Sequence, residues 1–297
     1  MRRLARSALV LAAASSSMWV SVVPMASAES ASPGRLHFAI NVRHDFHAAA
    51  AVGFNLADVG STATLAALPD GMKGIYWLGN GYNTTCAWQK SDSQVQMIVA
   101  AIKDHPKFSG IYYISDEPHP SVCPDAPARV AERSAMIRKL DPRAKTFIVV
   151  LNGASDPTEF ARMKDSADYI GVDPYPCNWK NEKAGCDYVA LERRIDQALA
   201  ARIPVSRIVP VFQAFGQGCA TTKQRYYRLP SVDETRKMLA IWDAKVPIAD
   251  RPFDMAYSWG EQKTVACPTL ATSQAQAALE LKTVYSKYFS QSRASAR

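Results

Sequence analysis

Two adjacent carboxylates, Asp116 and Glu117, end a strongly apolar run in the stretch FSGIYYISDEPHP, residues 108–120. The run is typical of a buried strand, and Pro118 ends it because proline cannot donate to a sheet. Parallel barrel enzymes present their catalytic groups at the carboxyl ends of their strands. We therefore expect Glu117 to act as a general acid or base, with Asp116 beside it contacting the ligand.

Eight short apolar runs alternate along the chain with longer segments of helical periodicity. The expected strands span residues 36–42, 54–59, 73–78, 109–115, 145–151, 168–172, 207–213 and 253–258. Between them, apolar residues recur at helical spacing, as in Val95, Ile98, Val99 and Ile102. Eightfold alternation without a composition break predicts an α/β fold, a single (β/α)₈ TIM barrel. An open doubly wound sheet is the alternative, but residues 43–45 (Arg-His-Asp) stand where that fold needs glycines.

Polar and aromatic side chains follow the other expected strands as well, where a barrel would gather them around one mouth. The candidates to contact a ligand there are Asn41, Arg43, Asp58, Asn152, Asp173, Tyr175, Gln213, Trp259 and Glu261. Side chains of barrel strands alternate between interior and exterior. In the first strand, Phe38, Ile40 and Val42 suit the helix side, which turns the polar residues between and after them inward. The same reasoning turns Asp173 of the sixth strand inward.

Carboxylates in a mouth lined by aromatic and amide side chains suit the chemistry of glycosidic bonds. One acid protonates the glycosidic oxygen, while the other acts as a base on water or as a nucleophile. We expect Glu117 to be the acid and Asp173 the base or nucleophile, with Glu261 as the second choice for that carboxylate. Clustering of like charges raises the pKa of one carboxyl, which then stays protonated at neutral pH.

The tripeptide Asp116-Glu117-Pro118 at the end of the fourth expected strand resembles the Asn-Glu-Pro of the large clan of (β/α)₈ glycoside hydrolases, where the glutamate is the acid/base. Trp259 resembles the tryptophan that floors the substrate site of this clan, and Tyr175 resembles its sixth-strand tyrosine. The clan's nucleophilic glutamate ends the seventh strand, where this chain has Gln213. A neutral amide cannot be that nucleophile. The resemblance therefore implies a divergent member. Either its second carboxylate comes from elsewhere, or it is not a retaining hydrolase, or it is not a hydrolase.

The N-terminus has the pattern of a secretory signal peptide. Three arginines precede an apolar stretch, and small residues before Glu29 offer a cleavage site. We expect residues 1–28 to be removed, residues 29–290 to form the barrel domain and residues 291–297 to form a flexible tail. No later segment of the sequence is apolar enough to cross a membrane, so we expect a secreted protein.

All six cysteines lie after the expected leader, and an even number in an oxidising compartment indicates disulfide bonds. The expected pairs are Cys177–Cys186, which are close in sequence, Cys86–Cys123 and Cys219–Cys267. Each cysteine follows an expected strand, so the bonds lie in βα loops. They would either stiffen the barrel mouth or simply tie down long secreted loops.

The charge of the chain restricts the class of partner. Its formal net charge is +8, and no basic run alternates with aromatic residues. This pattern argues against a nucleic-acid partner. We expect a carbohydrate ligand, a monomer, and neither a cofactor nor a metal ion.

Two other functions stay open. A metal-dependent hydrolase would need five residues to converge on a divalent cation that activates water: His44, Asp45, Asp58, Glu117 and His119. The sequence has no spaced histidine/carboxylate motif for such a site, and turnover insensitive to chelators would exclude it. A non-catalytic carbohydrate-binding barrel would account for Gln213, and Glu117→Gln would then leave the affinity for the sugar nearly intact.

Overall fold

The structure, a computed structural model, describes residues 35–150, 158–180, 185–272 and 276–294. Within these residues, eight strands form one parallel sheet: β1 (His37–Ala39), β2 (Leu56–Val59), β3 (Lys73–Trp77), β4 (Phe108–Asp116), β5 (Lys145–Val150), β6 (Tyr169–Val172), β7 (Ile208–Gln213) and β8 (Asp254–Tyr257). Each strand pairs with its neighbours in sequence, and β8 closes the ring against β1. The expected TIM barrel is confirmed.

Helices surround the closed sheet. They are α1 (Phe46–Val52), α2 (Thr62–Ala66), α3 (Asp92–Ile102), α4 (Ala126–Leu140), α5 (Glu159–Met163), α6 (Tyr188–Ala200), α7 (Val232–Lys245) and α8 (Gln276–Ala294), with a 3₁₀ turn at Val205–Arg207. Capping boxes begin α3 at Ser91 and α7 at Ser231. Each serine side chain accepts from the backbone N–H of the third residue beyond it, and the side chain of that residue accepts from the serine N–H. No helix within the described ranges has both the length and the apolar character that crossing a bilayer requires.

Apolar side chains form two layers, one inside the sheet and one between the sheet and the helices. The inner layer includes Phe38, Ile75, Tyr113, Phe147, Val211 and Met255. The outer layer includes Tyr112, Ile114, Ile148, Val172, Phe212 and Trp242. The two-residue period of the strands sorts neighbouring residues into different layers. Since the barrel interior is packed, a ligand site belongs at the mouth.

The prediction of which β1 side chains point into the barrel was wrong. Phe38 and Ile40 belong to the inner layer, whereas Ala39 belongs to the outer one. Beyond the strand, Asn41 and Arg43 adopt left-handed φ angles of 63° and 57°. Because the backbone is no longer extended there, strict alternation cannot predict where the side chains after Ile40 point.

Gly171 of β6 faces the barrel interior, as expected, and a Cβ there would lie 2.8 Å from Val149 Cγ2 and 3.1 Å from Phe147 Cε2. Gly171→Ala is therefore expected to lower the free energy of unfolding by about 1–3 kcal/mol through overpacking. Urea denaturation measures the effect as a lower midpoint. Gly60→Ala is the control, because a Cβ there would have no atom within 4 Å. Equal losses in both variants would contradict the packing argument.

Three disulfide bonds lie in the loops at the carboxyl ends of the strands, and their partners are the predicted ones. They are Cys86–Cys123, Cys177–Cys186 and Cys219–Cys267. The first joins the loops after β3 and β4, the second closes the loop after β6, and the third joins the loops after β7 and β8. The disulfide-bonded βα loops are confirmed, and all three bonds lie on the mouth side of the barrel.

Candidate active site

A cavity of about 560 Å³, here called the central cavity, opens at the carboxyl ends of the strands. Six of the predicted site residues line it: Asn41, Asp58, Asp116, Glu117, Asp173 and Tyr175. They come from four different strand ends or the positions directly after them. The barrel therefore brings together acids that are far apart in sequence.

The end of β4 fixes the position of Glu117. The register between β4 and β5 shifts between Tyr113 and Ser115, which marks an irregularity just before the acids. The Glu117 N–H then donates to the Val149 carbonyl at 3.0 Å. Glu117 has a φ of 51°, in the left-handed region that is unfavourable for a side chain with a Cβ. Backbone strain of this kind concentrates at functional sites.

Two neighbours hold Asp116. The Tyr113 hydroxyl donates to Asp116 Oδ1 at 2.5 Å, and the Asp116 N–H donates to Asn80 Oδ1 at 2.8 Å. Burial raises the pKa of Asp116 to about 7, and the charge of neighbouring Glu117 contributes to this rise. Asp116 is thus a fixed carboxyl that gains or loses a proton close to neutral pH.

The carboxyls of Glu117 and Asp173 lie in hydrogen-bond contact. Burial raises the pKa of Asp173 well above its usual range, and the charge and hydrogen bond of Glu117 raise it further. Two contacting carboxylates in a buried site cannot both ionise, so the pair shares one proton at neutral pH. The raised pKa puts this proton on Asp173, whereas sequence reasoning placed it on Glu117.

Asp58 faces this pair from β2, which lies on the opposite side of the closed sheet from β6. The Val42 N–H donates to Asp58 Oδ1 at 3.0 Å. Burial raises the pKa of Asp58 to about 6, although backbone hydrogen bonds and the charge of Arg43 lower it. A carboxyl with this pKa is ionised at neutral pH and can still accept a proton, which are the properties of a general base.

Aromatic rings form the wall of the central cavity. Tyr175 stacks on Tyr257 at 5.7 Å between ring centroids, and Trp77 meets Tyr113 edge-on at 4.6 Å. Burial, followed by the nearby carboxylates, raises the pKa of all three tyrosines, so their hydroxyls stay protonated. Trp77, Tyr113 and Tyr257 were not expected in the site from the sequence. The two-residue spacing of Met255 and Tyr257 is the signal that would have placed Tyr257 inward.

Amide side chains complete the lining. Asn41 donates to Ser258 Oγ at 3.0 Å and accepts from Gln262 Nε2 at 3.1 Å. Gln262 in turn accepts from the Tyr257 hydroxyl at 3.0 Å. Gln262, Gln217 and Tyr227 reach the central cavity from loops, where no periodic pattern in the sequence marks them.

Gln213 does not line the central cavity, contrary to expectation. It is fully buried, and its Oε1 accepts from the Cys177 N–H at 2.8 Å. Its Nε2 donates to the carbonyls of Cys177 and Arg228, at 2.8 and 3.0 Å. The amide therefore ties the loop after β6 to the loop after β7, and it has no surface left for a ligand.

Three other predicted residues line a neighbouring opening of about 480 Å³, here called the flanking cavity, which shares Asn41 with the central one. They are Arg43, Trp259 and Glu261. Trp259 is fully buried against Phe54, and its Nε1–H donates to Asp45 Oδ2 at 3.1 Å. The expectation that it floors the substrate site is therefore corrected. Glu261 accepts from the Thr272 hydroxyl and is not among the residues around Glu117.

The five residues of the metal-dependent alternative do not converge. His44 and Asp45 line the flanking cavity, whereas Asp58 and Glu117 line the central one. His119 Nδ1 lies 2.7 Å from Glu159 Oε1. Asn152, the remaining predicted site residue, lies outside the described residues.

Neither a protein-family model nor a curated protein matches the sequence. Solved structures do match the fold. The β-glucuronidase of Ruminococcus gnavus in complex with D-glucuronic acid aligns with a TM-score of 0.56 at 12% identity, over 86% of this chain and 49% of that chain. The β-D-glucuronidase of Dictyoglomus thermophilum aligns with a TM-score of 0.53 at 17% identity, over 82% of this chain and 46% of that chain.

A third match is β-glucuronidase 2 of Bacteroides uniformis covalently bound to cyclophellitol-6-carboxylate aziridine. Its TM-score is 0.52 at 12% identity, over 76% of this chain and 31% of that chain. This chain thus spans half the length of these proteins or less. Likeness at such low identity establishes a shared fold and nothing finer. In structure, this chain is similar to the TIM barrels of glycoside hydrolases.

Proposed function

We propose that this protein is a secreted glycoside hydrolase that cleaves a neutral poly- or oligosaccharide by carboxylate acid/base catalysis. The observation that carries the proposal is the contact between Glu117 and Asp173 in the barrel mouth, beside Asp116. A cluster of carboxyls in which burial raises the pKa of Asp116 and Asp173, next to tyrosine hydroxyls and amides, is suited to protonating a glycosidic oxygen. The shared barrel fold of the β-glucuronidases supports the same class of reaction.

In this mechanism Glu117 and Asp173 act together as the acid. The proton that they share passes to the glycosidic oxygen as the bond between this oxygen and the anomeric carbon breaks. Asp58, across the cavity, accepts a proton from water while the water oxygen bonds to the anomeric carbon. The products are two shorter sugars. Asp58 releases its proton to solvent and the pair takes one up, which restores the starting state.

The contact between Glu117 and Asp173 also determines which role they can share. Retaining hydrolases separate their two carboxyls by about 5–5.5 Å and inverting ones by about 6.5–9.5 Å, so that a sugar or water fits between them. Carboxyls in hydrogen-bond contact leave no such space. We therefore assign the pair one role and Asp58 the other. Because β2 lies across the ring from β6, we expect the wider separation of an inverting enzyme, and hence inversion at the anomeric carbon.

The charge of the central cavity favours a neutral sugar. Four acids line it, and none of its described lining residues is lysine or arginine. The R. gnavus relative binds D-glucuronic acid, whose carboxylate would be repelled by these acids. Aromatic faces and amides, by contrast, suit the apolar faces and hydroxyls of an uncharged ring.

Secretion is part of the proposal. The N-terminal pattern typical of a signal peptide predicts export, and three disulfide bonds are characteristic of oxidising compartments. Many polysaccharides are too large to enter a cell, so an exported barrel is in the place where such a substrate is found.

A second candidate is a carbohydrate-binding barrel without turnover. One observation favours it: the seventh strand ends in Gln213, a neutral and fully buried amide. Such a protein would bind sugars with the aromatic wall of the central cavity. It would not require two carboxyls at the separation that hydrolysis demands.

The deciding experiment incubates the exported chain with xylan, mannan, laminarin, soluble cellulose and glycol chitin. Release of reducing ends is measured for each, and proton NMR identifies the anomer formed first. We expect one polysaccharide to be cleaved with inversion. Binding in affinity electrophoresis without any new reducing ends would favour the second candidate, and a retained anomer would remove Asp58 from the role of base.

A further inference from the structure

A second cavity adjoins the central one. This side cavity has a volume of about 280 Å³ and shares three lining residues with the central cavity: Asp173, Tyr175 and Tyr227. One of the shared residues belongs to the acid pair. The two cavities therefore meet at Tyr175 and Tyr227, on one side of the acid pair.

Aromatic rings connect the two cavities. Tyr175 stacks on Tyr257 in the central cavity and meets Tyr227 at 5.6 Å between centroids. Tyr227 meets Tyr226 at 4.8 Å, and Tyr226 lines the side cavity. The rings form a continuous series that runs from the acids towards the rim of the barrel.

The outer end of this series is exposed. Tyr226 and Trp179 are 40% and 41% exposed, and they are the two aromatic members of the exposed large apolar side chains in the described part of the chain. They are also neighbours, since the Trp179 N–H donates to the Tyr226 carbonyl at 2.9 Å. Tyr226 lines the side cavity, and the backbone bond holds Trp179 in the adjacent loop. Exposed aromatic side chains beside a cavity are typical of a ligand-binding surface.

The loops that carry these rings are held in place before any ligand binds. Gln217 Oε1 accepts from the N–H groups of both Tyr226 and Tyr227 at 3.0 Å. Asn178 pairs with Tyr227 in an antiparallel bridge, and Cys177–Cys186 closes the loop that contains Trp179. Such preorganisation lowers the entropy cost of binding.

We propose that Tyr226, Tyr227 and Trp179 form a second sugar-binding subsite, which takes the sugar residue next to the one cleaved. The inference rests on the proposed function and extends it, because a ligand that fills both cavities has several sugar residues. The protein then acts within oligosaccharides and polysaccharides and does not depend on a terminal sugar.

The test compares Trp179→Ala, Tyr226→Ala and the double variant with the parent protein. The probes are two- and six-residue oligomers of the cello, xylo, manno, laminari and chito series. We expect each single variant to lower kcat/KM on the cleaved hexasaccharide by about 3- to 10-fold, while the disaccharide is affected less than 2-fold. Tyr226→Phe keeps the ring and should retain activity, and Met97→Ala, which changes a side chain 66% exposed on α3, is the surface control.

A binding measurement separates this inference from the proposed function. Glu117→Gln protein is titrated calorimetrically with the same oligomers, with and without the two aromatic substitutions. If nothing is hydrolysed but the hexasaccharide binds more tightly than the disaccharide, and the substitutions remove this difference, the subsite stands although the hydrolase proposal fails. Equal effects on short and long oligomers, or no binding by any series, would overturn the subsite.

Discussion

Glu117→Gln is expected to lower kcat on the cleaved polysaccharide by about 10²- to 10⁴-fold, the usual contribution of a positioned acid or base. Glutamine has nearly the same shape and can still hydrogen bond to Asp173, so the barrel should remain folded. It cannot share a proton with Asp173, however. The substitution also removes the charge that helps to raise the pKa of Asp173, which weakens the remaining acid's hold on its proton.

The measurement is the initial rate of reducing-end release, with thermal denaturation to verify folding. Glu132→Gln on α4 is the matched control, because this exposed glutamate forms an ion pair with Arg129 on the helix surface. Its rate should equal that of the parent protein. Undiminished turnover in Glu117→Gln would remove Glu117 from the mechanism and with it the reason for placing the acid at the end of β4.

The second large effect concerns Asp58 and the pH profile. The pKa of Asp58 is about 6, so below this pH the base is protonated and kcat/KM should fall. The acid responds to pH in the opposite direction, because the Glu117–Asp173 pair must keep a proton to protonate the glycosidic oxygen. Burial raises the pKa of Asp173 well above its usual range, so kcat/KM should also fall at high pH, where the pair loses this proton. The expected profile is a bell with its maximum between these limbs.

Asp58→Asn is expected to lower kcat/KM by at least about 10²-fold and to abolish the limb near pH 6. Asparagine keeps an oxygen that can accept from the Val42 N–H, so the local backbone should hold. Asp116→Asn provides the companion measurement. The charge of Asp116 helps to raise the pKa of Asp173, and its removal should move the basic limb to lower pH.

These two variants separate the roles that the proposal assigns. A parent-like rate and an unchanged acid limb in Asp58→Asn would exclude Asp58 as the base. A basic limb that stays in place in Asp116→Asn would show that the proton is not held by the cluster on β4 and β6.

Much of the architecture was predictable from the sequence. The eight apolar runs correspond to strands because consecutive residues of a barrel strand face either the packed interior or the helices, and both environments favour apolar side chains. The placement of the acids at the ends of β4 and β6 in the mouth was also predictable. Ionisable side chains need water-accessible space, and the barrel provides it only beyond the strand ends. The disulfide pairs were predictable because their cysteines follow neighbouring strands or share one loop.

The errors arose where the backbone leaves regular geometry. The facing of β1 was wrong because Asn41 and Arg43 have left-handed φ angles, which break the alternation that the prediction assumed. Trp259 was expected in the substrate site because it follows the eighth expected strand and resembles the tryptophan that floors the site of the glycoside hydrolase clan. The structure buries it against Phe54, and Tyr257, two residues earlier, lines the central cavity instead.

By itself, the sequence determined a parallel eight-stranded barrel with Asp116, Glu117 and Asp173 at its strand ends, because hydrophobic periodicity and strand length are local properties. Only the tertiary structure decided that Glu117 and Asp173 touch, that Asp58 faces them and that Gln213 is enclosed. Contacts of this kind depend on how strands distant in sequence close into a ring. Proton affinities depend on the burial and charge that such contacts create, so they cannot be assigned one residue at a time.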